Sequence, residues 1–394
     1  MERAPDVAVV GGSIGGLTAA CVLRDAGCDV DVFERSGSVL TARGAGIAAL
    51  EQTLRYPVER AGVPVDEFCS TTEWIRFLRS DGSVQHERQH PYVFSSWNAV
   101  YSTLVDSFPA RRYHLGHEMV AFQDDGDRVH VTFTDGRVHT ADLLVCADGI
   151  SSSSRRRLVP RATPSYAGYV AWRGVLPEAD LDAEAFDRLH DALTYQQLPA
   201  GHILVYPIPA ADGSVGVGRR LMNMVWYCNV PDDERAGVLT DRHGERRPVS
   251  VPPGLVRDEL VERMRSDARE LLAPPIARFV TSVRDPFIQA VFDLDVPRMA
   301  FGRVCLLGDA AFAARPHAAA GTAKAAEDGW VLAEELVKHD GDVPAALGSW
   351  EHRQLRLGAD LLARTRAIGN TSQFGGGLTP GDPRLIFGLY EPGR

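Results

Sequence analysis

Apolar positions run without interruption through three short stretches of the chain, and each stretch ends in glycine or aspartate. The first is DVAVV before Gly11, the second Leu143 to Ala147 before Asp148, and the third Val304 to Leu307 before Gly308. Strands that are apolar on both faces belong in a parallel sheet covered by helices. Around the first of them the order is DVAVV, GGSIGG, LTAACVLRDAG, CDVDVFE, which reads as strand, turn, helix, strand, with Gly27 ending the helix. One βαβ unit is therefore expected at the N-terminus. A hairpin signal, Thr134-Asp135-Gly136, precedes the second buried strand.

Between Tyr166 and Val283 the pattern changes to alternating runs such as YVAWRGV, ALTYQQL, GHILVYPI and MNMVWYCNV. Alternation predicts a mixed or antiparallel sheet, and its insertion between pieces of a parallel unit predicts a second domain that caps the first. The stretch IRFLRSDGSVQ, within Glu73 to Ser96, has hairpin texture and joins that sheet. The expected parallel-sheet unit comprises 1–72, 97–165 and 288–340, and the mixed-sheet unit 73–96 and 166–287. A long helix from Pro344 to about Ile368 and a Gly/Pro-rich tail, FGGGLTPGDPRLIFGL, make up 341–394.

Composition narrows the class. With 394 residues, 45% hydrophobic and 24% charged, the chain can bury two cores. A formal net charge of -10, with no basic stretch beyond Arg155, Arg156 and Arg157, excludes a nucleic-acid partner. The six cysteines are widely spaced, with no CxxC pair, as buried free thiols in a reducing cytoplasm are; no metal site is expected. MERAPDVAVVGG carries no signal-peptide pattern and no apolar run reaches membrane-spanning length, so no membrane association is expected. Homo-oligomer formation stays open.

The first glycine turn carries chemistry. Gly11, Ser13 and Gly16 fall on GxGxxG spacing between a strand and a helix. The first position permits the tight turn, the second must be small for a pyrophosphate to approach backbone N–H groups, and the third lets helix and strand pack closely. Ser13 departs from glycine but is small and can donate to phosphate. Glu34 ends the next strand, where an acid accepts from the adenosine ribose. The order of elements favours a dinucleotide over a merely structural turn and leaves NAD and FAD as alternatives.

The two other strand ends, CADGISSSSR and LLGDAAFAARP, resemble the Asp-Gly and Gly-Asp motifs of the class A FAD-dependent aromatic hydroxylases, the para-hydroxybenzoate hydroxylase superfamily. With the N-terminal turn they cover the chain nearly end to end. The resemblance implies an α/β fold: a Rossmann-like FAD-binding domain with a parallel sheet, a mixed-sheet substrate domain and a C-terminal helix. It implies FAD as cofactor, with NADH or NADPH and O2 as co-substrates. Asp309 then hydrogen-bonds the ribityl chain, while Asp148 and Gly149 serve both FAD and the nicotinamide donor. The small residues from Ala318 on, including Gly321, Thr322 and Ala323, seat the flavin ring at a helix N-terminus, which favours negative charge on a reduced flavin. Arg43, in RGAGI, aligns with a flavin-side loop. Pro316 matches the proline beside the reactive flavin edge, and His317 follows it as an acid/base or substrate-binding candidate. Trp97, Cys146 and Phe312 depart from the arginine, glycine and histidine common at their positions.

ALTYQQLPAGHILVYPIPA matches the family's strand pair that holds the phenol. The match puts Tyr195 at the phenolic oxygen, Tyr206 at the substrate's other end, and Ile208 where a carboxylate-clamping arginine stands, implying a ring without a carboxylate there. Tyr227 falls near a further substrate-side tyrosine. YAGYVAWRGVL, GHILVYPIP, RPHAAAGTAKA and the tail are similar to the hydroxypyridine-acting branch, the 2,6-dihydroxypyridine 3-hydroxylases. The implied reaction is hydroxylation of an electron-rich, uncharged hydroxypyridine or phenol, catabolic or in natural-product tailoring, through a C4a-hydroperoxyflavin, with Tyr195 and His317 handling the ring proton. An NAD-dependent dehydrogenase and a non-catalytic flavin-binding protein are the competing readings.

Overall fold

The computed structural model describes residues 4–40 and 46–394. One sheet has six strands in the order Ala300–Phe301, Val304–Leu306, Leu143–Cys146, Asp6–Val10, Asp29–Glu34, Tyr113–Leu115. Every neighbouring pair is parallel except the first. The three continuous apolar runs are thus adjacent strands at its centre, and Leu143, Leu144, Val145 and Cys146 are fully buried. Because the strands are parallel and in register, all three Gly/Asp turns emerge at one edge. The hairpin at Asp135-Gly136 belongs to a separate three-stranded antiparallel sheet, Met119–Asp124, Val129–Phe133 and Val138–Ala141.

Two helices pack closely beside the central strands: Ile14–Asp25, which follows the first glycine turn, and Gly321–Lys338. Their approach is close because Gly329 faces Ala19, where a Cβ would lie 2.8 Å from the Ala19 Cα. Trp350, from the C-terminal helix, seals this layer by donating from Nε1 to the Asp328 carbonyl at 2.8 Å.

The alternating segment forms a nine-stranded mixed sheet, mostly antiparallel; only Ala192–Leu198 and Ser70–Leu78 run parallel. One face, with Trp172, Met224 and Trp226, packs with residues of the helices Asp258–Leu271 and Pro274–Ser282. The opposite face carries Tyr169, Tyr195, Tyr206 and Tyr227. The sheet recruits more chain than expected: Gly46–Ala48, Ser70–Thr72 and most of Phe287–Asp293 lie in segments assigned above to the parallel unit. Edge pairing draws them across, since Phe287–Asp293 bonds to Ser165–Pro177 and Gly46–Ala48 to Val84–Ser96.

The long C-terminal helix spans Val343–Phe374, 32 residues, with Asp342 capping it by accepting from the Ala345 N–H. The tail is ordered: the Phe387 N–H donates to the Tyr92 hydroxyl, Tyr390 donates to Glu327, and Arg364 donates to the Gly388 and Leu389 carbonyls. Among the described residues no helix is long and apolar enough to cross a membrane.

Gly329→Ala separates clearance from propensity. Alanine in an ordinary helix interior gains up to about 1 kcal/mol over glycine, whereas overpacking a close contact costs about 1–3 kcal/mol. The expected result is a net loss of about 1–2 kcal/mol in urea unfolding; a gain would show that the helices separate freely.

Candidate active site

The strand ends and the tyrosine face of the large sheet enclose a cavity of about 400 Å³. Its strand-end wall includes Ser13, Gly16, Gly149 and Asp309, its sheet wall Tyr195, Tyr206 and Tyr227, and the tail closes it with Leu385 and Phe387.

The first turn is built for close approach. Gly11 has φ +105°, and a Cβ there would lie 2.2 Å from the Ala147 carbonyl oxygen; one on Gly16 would lie 1.9 Å from the Gly11 carbonyl oxygen. Ser13 begins the helix with its side chain making no capping bond and lining the cavity. Glu34 is buried at the end of its strand, outside the cavity, and accepts from the Gly12 and Ser36 N–H groups at 2.9 Å each.

At the second strand end, Gly149 lines the cavity but Asp148 does not. The Asp148 carboxylate accepts from the Ser152 hydroxyl at 2.6 Å and from the Ser154 N–H and hydroxyl at 3.1 and 3.0 Å, so it orders the serine run that starts the helix Ser153–Leu158. Arg155 is 1% exposed and donates to the carbonyls of Ile150, Ala162 and Ala310 at 2.6, 3.2 and 3.2 Å. It ties the second turn to the third, a role invisible in a run of three arginines.

The third strand end is pinned from below. Asp328, fully buried, accepts from the Gly308 N–H at 2.9 Å and from Lys324 Nζ at 2.7 Å. Asp309, next along the turn, is exposed, and its side chain faces the cavity space. Desolvation pushes its carboxyl up to about 6, with Lys324 and Arg155 opposing and Asp328 reinforcing. Gly321 and Thr322 line the cavity at the helix mouth; Ala323 is buried behind them. Arg43 lies outside the described residues. Trp97 lines the cavity, stacked on Tyr101 at 4.7 Å between ring centroids.

On the sheet wall, Tyr195 is 1% exposed and stacked on Phe77 at 5.1 Å, and burial raises its phenol far above the usual range. Tyr206 donates to the Gly46 carbonyl at 3.0 Å and is pushed up to about 12 by burial. Ile208 does not reach the cavity: a Cβ on Gly46 would meet its Cγ2 at 2.7 Å, so the strand Gly46–Ala48 covers it. The inference that Ile208 stands at the substrate in place of a carboxylate-clamping arginine therefore has no geometric support. Pro316 and His317 both line the cavity. His317 is held neutral by burial, with the Arg315 charge acting the same way; its Nε2 lies 2.7 Å from the Tyr169 hydroxyl. Gly369 makes room for this pair, since a Cβ there would lie 2.8 Å from the Tyr169 hydroxyl.

Three polar side chains of the cavity wall had no role in the sequence reading. His202 is driven down to about 3 by burial and pairs through Nδ1 with the Ser372 hydroxyl at 2.6 Å. Arg173 and Gln289 project from neighbouring strands. Strand parity would have placed Arg173 two residues from cavity-lining Ala171, on the same face.

The donor set fits FAD: glycine turns that exclude side chains where a pyrophosphate would lie, a carboxylate facing the cavity for a ribityl hydroxyl, and small residues at a helix mouth for a flat ring. Residues 6–68 match the pyridine nucleotide-disulphide oxidoreductase family and residues 166–293 the FAD binding domain-like family. The chain belongs to the FAD-dependent aromatic monooxygenases, and FAD is its cofactor. It is 38% identical over 391 residues to 2,6-dihydroxypyridine 3-monooxygenase of Paenarthrobacter nicotinovorans, covering 97% of this chain and 95% of that one. The solved structure of 2,6-dihydroxypyridine-3-hydroxylase from Arthrobacter nicotinovorans superposes with a TM-score of 0.93 at 36% identity, over 99% and 98% of the two chains. The 3-amino-4-hydroxybenzoate 2-monooxygenase of Streptomyces cremeus is 29% identical over 381 residues, covering 93% of this chain and 88% of the relative. These similarities exclude the dehydrogenase and the non-catalytic reading.

Asp309→Asn should weaken FAD binding while stabilising the apoprotein. The raised carboxyl costs stability in full above about pH 6, where the folded state must bear the charge. That cost shrinks as pH falls and vanishes below about pH 4, where both states are protonated. The apoprotein gain at neutral pH should be on the order of 1 kcal/mol, given water in the cavity. Unfolding of apo wild type and variant from pH 4 to 8 checks the sign; a gain that grows toward pH 4 contradicts it.

Proposed function

We propose that the protein hydroxylates a hydroxypyridine or similar electron-rich hydroxylated ring held between the Pro316–His317 edge and the tyrosine face of the large sheet. The observation that carries this reading is the convergence of Tyr195, Tyr206, Tyr227, His202 and His317 on the same cavity as Gly16 and Asp309. The similarity to 2,6-dihydroxypyridine 3-monooxygenase over nearly the whole chain supports the ring class.

When bound and reduced by NADH or NADPH, FAD would activate O2, which would supply the oxygen atom transferred, its other atom leaving as water. The side chains have other tasks. Tyr195, with its phenol pushed up by burial, stays protonated at neutral pH, so it acts as a hydrogen-bond donor to the ring oxygen rather than as a base. That donation disperses charge as the ring becomes nucleophilic. His317 is kept neutral and can accept a proton, with Tyr169 on its Nε2 fixing the ring's orientation. Phe387 and Leu385 exclude water from the ring's surroundings, which suppresses loss of oxidising equivalents as peroxide. Asp148 acts on cofactor and donor at one remove, by ordering the turn that carries Gly149. The six free thiols suit work in the reducing cytoplasm.

Tyr195→Phe should retain FAD but lower hydroxylated product per NAD(P)H consumed by about tenfold, the scale of one lost hydrogen bond to a charged group. Product and peroxide are measured together with 2,6-dihydroxypyridine and a panel of hydroxypyridines and phenols. An unchanged yield removes Tyr195 from the mechanism; a panel in which no ring stimulates NAD(P)H oxidation removes the ring class.

A further inference from the structure

Arg173 and Asp309 are the only charged side chains, histidines aside, that line the cavity among the described residues. Asp309 belongs to the strand end, where the cofactor's hydroxylated chain fits. Arg173 belongs to the sheet, in the strand Ser165–Pro177, beside Tyr206.

The surroundings of Arg173 are unlike those of other arginines near this sheet. Arg76 holds Asp191 at 2.9 Å, Arg220 holds Glu178 at 2.5 Å and Arg315 holds Asp293 at 2.8 Å. Arg173 pairs with no carboxylate among the described residues. Its NH2 donates to the Gly46 carbonyl at 2.7 Å, the same oxygen that receives the Tyr206 hydroxyl, and its NH1 leans toward the Gln289 side-chain oxygen at 3.4 Å. Nε is buried without any partner, and the Phe287 ring lies 6.0 Å away. Neutral oxygens orient a guanidinium but leave its charge uncompensated, and in a cavity lined by aromatic and aliphatic groups that charge favours an anion. The phenols of Tyr195, Tyr206 and Tyr227 are raised by burial and cannot supply one at neutral pH, and His202 and His317 are neutral.

We propose that Arg173 is the counter-charge for the ring substrate, so that the cavity takes the hydroxylated ring as its oxyanion, with the charge on a ring oxygen. This rests on the ring class proposed above and sharpens it: the ring need carry no carboxylate, yet it binds as an anion. Ionisation and activation then coincide, because the electron pair that Arg173 holds in place is the one that makes the ring carbon nucleophilic. Arg173 is thereby a specificity-determining residue, favouring rings acidic enough to ionise.

The test uses the FAD-loaded enzyme as wild type, Arg173→Lys and Arg173→Leu. Dissociation constants are read from flavin absorbance for 2,6-dihydroxypyridine, for 2,6-dimethoxypyridine, which cannot ionise by losing a hydroxyl proton, and for 6-hydroxynicotinate, which adds a carboxylate. In wild type and Arg173→Lys, 2,6-dihydroxypyridine should weaken by about tenfold per pH unit below the ring's own pKa. In Arg173→Leu that slope should vanish, and affinity above the ring's pKa should fall by about 30-fold, with 2,6-dimethoxypyridine unaffected. Asp309 titrates in all three proteins, so the difference between them isolates Arg173. FAD content and flavin reduction potential should be unchanged, which also confirms folding. An unaltered slope in Arg173→Leu overturns the proposal, as does a loss confined to 6-hydroxynicotinate, which would make Arg173 a carboxylate clamp. A shifted flavin potential with ring binding intact overturns it in favour of a flavin counter-charge. If wild type binds none of the rings, the ring class itself fails and this inference with it.

Discussion

Asp328, on the helix Gly321–Lys338, holds the Gly308 N–H and the Lys324 ammonium in a fully buried position beside the strand end that carries Asp309. Breaking such a pair by removing one partner is expensive, on the order of 3–5 kcal/mol, because the remaining charge is stranded away from water. The pin therefore fixes the turn to the helix Gly321–Lys338, and everything at the cofactor end depends on that geometry. The helix can lie so close only because Gly329 admits Ala19, and the helix carrying Ala19 starts from the glycine turn at Gly11. Arg155 then links the middle turn to Ala310, so the three strand ends move as one unit.

Much of this unit was legible in the sequence because its signals are local. Continuous apolar strands, small residues at fixed offsets and an acid at a strand end are consecutive or nearly so, and the strands they predict are adjacent in the sheet. What was not legible arises from pairing across distance. Gly46–Ala48 reads as part of the N-terminal unit but is captured by the edge of the large sheet, and in that position it covers Ile208. Alignment placed Ile208 at a substrate, whereas packing hides it; alternation alone could not tell a face that is open from one that is covered. Asp148 was readable in part, since an aspartate followed by a serine run is a capping signal, and its carboxylate is spent on that run.

Burial also decides which groups in the cavity carry charge. Desolvation holds His202 and His317 neutral and the three tyrosines protonated, so most of the wall offers donors and acceptors without net charge. Against that background a single carboxylate and a single guanidinium weigh heavily, since neither is screened by neighbours of opposite sign on the cavity wall. The site is thus polarised by its two charged residues rather than by a cluster, and composition could not reveal this in a chain with 42 basic and 52 acidic residues.

The ring end is assembled differently from the cofactor end. Tyr169, His317, Gly369 and Phe387 come from a sheet strand, the turn after the third strand end, the last helix and the tail, and each constrains another: Gly369 clears the Tyr169–His317 pair, while Tyr92 anchors Phe387. No local motif encodes that enclosure. A substitution in the tail can reshape the space around the ring while leaving the pinned turns untouched, whereas a change at Gly16 or Asp328 disturbs the cofactor seat wherever the ring sits. The two ends can therefore diverge separately, which explains how a cofactor seat readable from three short motifs stands beside a proposed ring site that only the assembled fold builds.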